Sequence, residues 1–150
     1  MLKKLPVLTC FFLFVLATNL FAFQARVVKV VDGDTIDVER AKGEGRIRVR
    51  YIGIDAPELK EPSFGQEAKR FNQGLVAGKM IRLAFDEERY DRYGRLLAYV
   101  WVGSTFVNAE LIKAGLATAI GRPPNLKHLS LFLRLEDEAR KKKKGIWRSS

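Results

Sequence analysis

A chain of 150 residues with a formal net charge of +10 has room for one domain and favours polyanionic partners: nucleic acid, anionic lipid or acidic glycan. One histidine and one cysteine exclude most of the usual catalytic machinery, because serine and cysteine nucleophiles need a neighbouring base and zinc sites want several imidazole or thiolate ligands. Any chemistry must therefore rest on carboxylates, guanidinium groups and the backbone.

The opening "MLKKLPVLTCFFLFVLATNLFAFQA" places Lys3 and Lys4 before an apolar run from Pro6 to Ala22, broken only by Thr9, Cys10, Thr18 and Asn19. A basic start, a short apolar centre and a small residue at Ala22 form the layout of a secretory signal. We expect residues 1–22 to be removed and residues 23–150 to form one mature domain, either secreted or periplasmic. Leu20 is a poorer minus-three residue than alanine, which leaves an uncleaved membrane anchor as the alternative. A buried core helix is disfavoured because the segment has no second, polar face. Leu8 and Thr9 are not the small pair that lipid attachment at Cys10 requires. Cleavage removes that cysteine, so the mature chain has no internal disulfide, and it removes Lys3 and Lys4, so a net +8 remains of the +10.

Residues Arg26 to Val31 and Thr35 to Glu39 alternate as strands do, joined through "DGDT", where Asp32 and Gly33 supply a tight turn. After a second turn, "AKGEG", Arg46 to Ile54 reads as a third strand, which completes an antiparallel meander. In "EPSFGQEAKRFNQGLVAGK", Ser63 with Gln66 predicts a capping box, Gly78 a helix stop, and Ala68, Phe71, Leu75 and Val76 an apolar core face. Met80 to Phe85 and Leu96 to Val102 add two strands around the charged loop "DEERYDRYGR". "VNAELIKAGLA" predicts a short helix ended by Gly115. "LSLFLRLEDEARKKKKGIW" predicts a longer one with Lys141 to Lys144 in its last turn and Gly145 as its stop. The lysine run is a solvated helix end that can also attract a polyanion. The expected fold is α+β, mainly β: a small five-stranded barrel with helices packed against it.

Within this frame Asp34 ends a turn, while Asp55 and Glu58 follow a strand across Pro57, which restricts the backbone. Carboxylates on neighbouring strand ends suit a hard cation such as calcium, although "DGDT" alone reads as an ordinary hairpin turn. Arg50 precedes Asp55 on the third strand and Arg95 follows the glycine turn in "DRYGR". Guanidinium groups there could bind phosphate bidentately, or Arg46, Arg48 and Arg50 could simply share a solvent-facing strand face. His128, in "NLKHLS", reads as a surface or capping residue rather than a catalyst.

The order "VVDGDT", "RVRYIGIDAPE", "GQEA", "DRYGRLLAYV", "VNAELIKAGLA" and "KKKKGIW" resembles the staphylococcal nuclease (thermonuclease) family over nearly the whole mature chain. The resemblance implies a five-stranded OB-type barrel with three helices, and a calcium-dependent phosphodiesterase that cuts DNA and RNA and leaves 3′-phosphates. Position by position, Asp34 and Asp55 match the family's calcium-ligand carboxylates, Glu58 its general base, and Arg50 and Arg95 its phosphate-binding arginines. Tyr93 matches a tyrosine beside the phosphate pocket. Ala56 stands where the family usually has threonine and would serve through its backbone carbonyl. Two departures bear on substrate preference. The loop "LKEPSFGQ" is shorter and poorer in lysine, and "AIGRPPN" puts Gly121 and Arg122 where a tyrosine-rich segment would stack on a nucleotide. The rival readings are a non-catalytic OB-fold module that holds nucleic acid and a basic exported protein on anionic envelope surfaces. Neither needs two metal carboxylates, a base and both arginines together. DNA and RNA are thus the expected partners of a monomer with no stable protein partner.

Overall fold

The computed structural model describes residues 23–40, 43, 45–60 and 63–149. The predicted leader, with Lys3, Lys4, Cys10 and Ala22, lies outside them. Strands β1 (Phe23–Val30), β2 (Thr35–Arg40) and β3 (Arg46–Tyr51) form the expected meander. Ala25 and Val27 point inward by simple alternation, and a register shift between Val27 and Lys29 then turns Val30 inward as well. A two-residue strand β4 (Ile54–Asp55) follows, then helix α1 (Phe64–Val76), β5 (Met80–Ala84) and β6 (Leu96–Val102). β5 pairs with β1, and β6 pairs antiparallel with β5 and parallel with β3, from Val49↔Leu96 to Tyr51↔Ala98. That last pairing closes a five-stranded OB-type barrel, which leaves no open edge between its first and last members. Ile36, Val38, Val49, Ile81, Leu83, Ala98 and Val100 fill it and are all buried.

The remaining elements are β7 (Thr105–Phe106), α2 (Val107–Lys113), β8 (Thr118–Ala119), α3 (Leu129–Lys141) and a 3-10 turn at Gly145–Ser149. Gly115 follows the end of α2 as expected, but Gly145 does not stop α3, which ends at Lys141; instead the two glycines meet. The amide of Ile146 donates to the Gly115 carbonyl at 2.8 Å, and a Cβ on either glycine would run into the backbone of the other segment. The C-terminal turn is thereby pinned beside the end of α2.

Three sequence expectations need correction. The third strand does not run unbroken to Ile54. Gly53, at φ 77, turns the chain out of the barrel, and a side chain there would strike the Phe132 ring of α3. β4 therefore leaves the barrel and pairs with β8. The capping box is also not formed. Ser63 takes φ 77 and makes no side-chain cap bond, and only its carbonyl serves the helix, accepting from the Glu67 amide at 2.9 Å. Finally, α3 ends at Lys141, which pairs with Asp137 at 2.6 Å, so Lys142 to Lys144 lie beyond the helix rather than within its last turn.

Candidate active site

The β1–β2 turn is tied from within and from outside. The amides of Val31 and Asp32 donate to the Thr35 carbonyl at 3.0 and 3.3 Å, and the Asp34 amide donates to Asp32 Oδ1 at 2.9 Å. Gly33 has no side chain because there is no space for one: a Cβ would lie 2.7 Å from that of Ala56 and 2.8 Å from that of Ala68. This close approach sets Asp34 inside, only 5% exposed. Its Oδ1 accepts from Thr35 Oγ1 at 3.0 Å, and its Oδ2 accepts from the Ala56 amide at 2.7 Å, with Arg50 Nη2 at 3.3 Å. Burial pushes its pKa up to about 6. The Arg50 charge opposes that rise and the neighbouring Asp32 charge adds to it.

Arg50 shares an outward strand face with Arg46 and Arg48, but not their environment. Arg48 is half exposed and pairs with Asp37 at 2.8 and 3.1 Å. Past Tyr51 the Gly53 turn folds β4 back over Arg50, whose side chain is left 12% exposed. Its Nη1 donates to the carbonyls of Tyr51 and Ile54, each at 2.8 Å, and its Nη2 to Asp55 Oδ1 at 2.9 Å. One nitrogen, Nη2, is thus shared between Asp34 and Asp55. The solvent-facing reading fails at Arg50 because the strand break supplies a cover that alternation alone does not show.

Glu58 reaches the same region from the far side of Pro57. Its carbonyl lies against Gly65 at the start of α1, where any Cβ would collide, while its carboxylate is exposed and paired with Lys60 at 2.8 Å. Opposite stands the loop between β5 and β6. Asp91 accepts from the amides of Tyr93 and Arg95 at 2.9 and 3.0 Å and from Arg95 Nε at 2.7 Å. Burial alone would raise the Asp91 pKa, but these donors outweigh it and hold the carboxyl below the usual range. Neither terminal nitrogen of Arg95 donates to a described residue, so the guanidinium is oriented through Nε with its outer edge free. Tyr93 is exposed beneath Arg92 and Arg95, at 4.8 and 5.5 Å from its ring.

Asp34, Arg50, Asp55, Ala56, Glu58, Tyr93 and Arg95 all line one open cleft of about 630 Å3. His128 does not. It is the N-cap residue of α3 through its backbone alone, its carbonyl accepting from the Phe132 amide at 3.1 Å, while its ring packs on Tyr99 and Phe106 at 4.5 and 5.0 Å, half-buried, with burial lowering its pKa.

Sequence reasoning passed over the polar residues that hold this arrangement together. Asn108 in α2 accepts from the Val100 amide and donates to the Ile52 carbonyl, both at 2.9 Å, bracing the chain just before Gly53. Glu136 in α3 accepts from the Ala119 amide at 2.6 Å and so holds the partner strand of Asp55. Asn125 accepts from the Glu88 amide and donates to the Glu88 carbonyl, both at 2.8 Å, fixing one cleft wall to the other. The available signal was a polar residue at an inward helix position, for Asn108 and Glu136, and an acid four residues before Arg95, for Asp91.

The family described as staphylococcal nuclease homologue matches residues 48–149, a span that begins after Asp34. The chain is 41% identical over 126 residues to a thermonuclease of Staphylococcus intermedius, covering 81% of this chain and 74% of that protein. A thermonuclease of Staphylococcus hyicus is 39% identical over 127 residues, again 81% of this chain and 74% of the relative. Endonuclease YncB of Bacillus subtilis (strain 168) is 40% identical over 129 residues, 81% of this chain and 60% of the relative.

Proposed function

The chain belongs to the staphylococcal nuclease homologue family, and on that premise we propose that it is an exported, calcium-dependent nuclease that hydrolyses DNA and RNA to 3′-phosphate products. The observation that carries this reading is the meeting of opposite charges in one cleft: two carboxylates share Arg50 Nη2, and Arg95 presents a free guanidinium edge opposite them.

The donor set fits a hard cation. Asp34 and Asp55 flank one point within 3.3 Å of each, now taken by a guanidinium nitrogen, and every candidate donor is oxygen. The raised pKa of Asp34 means that Arg50 alone does not balance its buried charge, so a cation beside it would restore the ionised form. Among the described residues no three Asp, Glu, His or Cys side chains close round one point. Asp34 and Asp55 would therefore hold calcium with help from the Ala56 carbonyl and water, a mixture calcium tolerates better than magnesium does. When bound, the cation offsets phosphate charge and draws the scissile group to the carboxylates.

The chain's own residues do the rest. Arg95 through its free edge, and Arg50 once its Nη2 has left the two carboxylates, would hold the non-bridging phosphate oxygens from two sides and meet the charge that grows as water attacks phosphorus. Glu58, exposed to water, takes the proton of the attacking molecule. The bond from phosphorus to the 5′ oxygen breaks, that oxygen takes a proton from solvent in the open cleft, and the phosphate stays on the 3′ side. Tyr93 borders the phosphate position. Arg122, which lines the cleft without an ion pair among the described residues, offers a cation where the family's tyrosines would stack. A module that only binds nucleic acid has no use for the cost of burying Asp34, which favours the enzyme over that reading.

Residues 1–22 are read as the export signal, and no helix among the described residues is long and apolar enough to cross a membrane. Protein recovered outside the cytoplasm should have the mass of a chain starting near Phe23. In calcium it should convert 5′-labelled single-stranded DNA and RNA to fragments ending in 3′-phosphate. An uncut substrate or 3′-hydroxyl ends would contradict the activity, and an intact chain in the membrane fraction would contradict the leader.

A further inference from the structure

We propose that Asn72, on the inward face of α1, is a positioning residue that fixes the Asp34 turn, and through it the cation site on which the preceding reading rests. Asn72 is fully buried, in a helix whose other buried positions are Gly65, Ala68 and Val76. Its Nδ2 donates to the Asp32 carbonyl at 3.0 Å, and its Oδ1 accepts from the Tyr51 hydroxyl at 2.9 Å. The orientation of the amide is dictated by its partners: a carbonyl can only accept, whereas a hydroxyl can do either, so the NH2 group must face Asp32.

These two partners flank the site. Asp32 begins the turn, and its side chain accepts from the Asp34 amide. Tyr51 follows Arg50, and its own amide donates to the Asp34 carbonyl at 2.9 Å. One side chain of α1 thus ties together the strand ends that carry Asp34 and Arg50. The same helix seats Ala68 against Gly33, and Gly65 against the carbonyl of Glu58. α1 is therefore in contact with both the metal turn and the segment bearing the base, and Asn72 is the one contact in this set that has direction. A leucine would bury more apolar surface at position 72, but it would leave the Asp32 carbonyl without its donor. The polar choice makes sense as registration of the helix against the turn.

The test compares Asn72→Leu with Tyr51→Phe, each against wild type. Asn72→Leu removes both hydrogen bonds and Tyr51→Phe only the one they share, so both should lower the thermal midpoint, but Tyr51→Phe leaves the Asp32 contact intact. Calcium affinity by calorimetry should fall by roughly 10- to 100-fold in Asn72→Leu, as for residues that orient metal ligands elsewhere, and should be nearly unchanged in Tyr51→Phe. In metal-free protein, hydrogen exchange at the Ala56 amide, which donates to Asp34 Oδ2, should quicken in Asn72→Leu alone. Equal changes in the two variants, or undisturbed exchange in Asn72→Leu, would overturn the proposal and leave Asn72 a packing residue. If wild type itself binds no calcium, the functional reading fails, while the exchange comparison still decides the role of Asn72. Should Asn72→Leu not fold, Asn72→Ala at low temperature gives the same comparison.

Discussion

Asp34→Asn should lower hydrolysis by on the order of 10² or more and, in chelator at pH 7, make the protein more stable than wild type. The two effects share one cause. Asp34 is nearly inaccessible and its pKa is raised from 3.8 to about 6, first by burial and then by the Asp32 charge, with Arg50 offsetting only part. A raised carboxyl pKa means that the folded state binds the proton more tightly than the unfolded chain. As pH rises from about 4 to 6 the unfolded chain ionises first, and the contribution of Asp34 to stability falls; above about 6 its full cost is present. That cost is at most roughly 2–3 kcal/mol, and the gain in the variant is smaller because asparagine also gives up the attraction of Arg50. Thermal unfolding in chelator at pH 4 and pH 7 reads this out: the gain in Asp34→Asn should grow with pH. A variant less stable than wild type at both pH values would mean that Asp34 is not a strained anion waiting for a cation.

Arg95→Ala should cut turnover by on the order of 10² or more while changing the Michaelis constant much less. The geometry motivates the split. Asp91 consumes Nε and sets the plane of the guanidinium, so its free edge is held in place before substrate arrives and is available to charge that develops as water attacks. Arg95→Lys should recover only part of the loss, since an ammonium keeps the charge but neither the fork nor the bond that Asp91 makes to Nε. Steady-state kinetics on a short oligonucleotide, with circular dichroism as a folding control, makes the measurement. Unchanged turnover with a raised Michaelis constant would reduce Arg95 to a docking contact.

Much of the barrel was legible because each strand carries its own periodicity and each turn its own glycine. Alternation in Ile36 and Val38, or in Leu83 and Ile81, needs no knowledge of the partner strand. What was not legible depended on distant contacts. Gly53 inside an alternating run can be a bulge, a bend or a break, and only Phe132, far along the chain, decides. The pairing of Asp55 with Thr118 joins segments 63 residues apart and leaves no local trace in either. Ser63 had the composition of a capping box without its conformation, because backbone geometry at the entry to α1 overrode the local preference.

The candidate site followed the same division. The acids and arginines were visible as types at a spacing, and the structure brings all seven proposed residues to one cleft. What orients them was not visible. Arg46, Arg48 and Arg50 look alike in sequence, yet Arg48 spends its charge on Asp37 whereas Arg50 is folded under β4 between two carboxylates. Asn72 and Asn108 sit at inward helix positions where periodicity alone asks for an apolar residue, and their purpose appears only when the carbonyls of Asp32 and Ile52 are found beside them.

On the function proposed above, this cleft is a nuclease because Asp34 and Asp55 hold a hard cation. The deciding measurement is hydrolysis of plasmid and single-stranded DNA by the purified mature protein in calcium, in magnesium and in excess chelator. Cutting is expected in calcium, little in magnesium because its tight octahedral shell suits this irregular donor set poorly, and none in chelator. Full activity in chelator, or none in calcium, would contradict it.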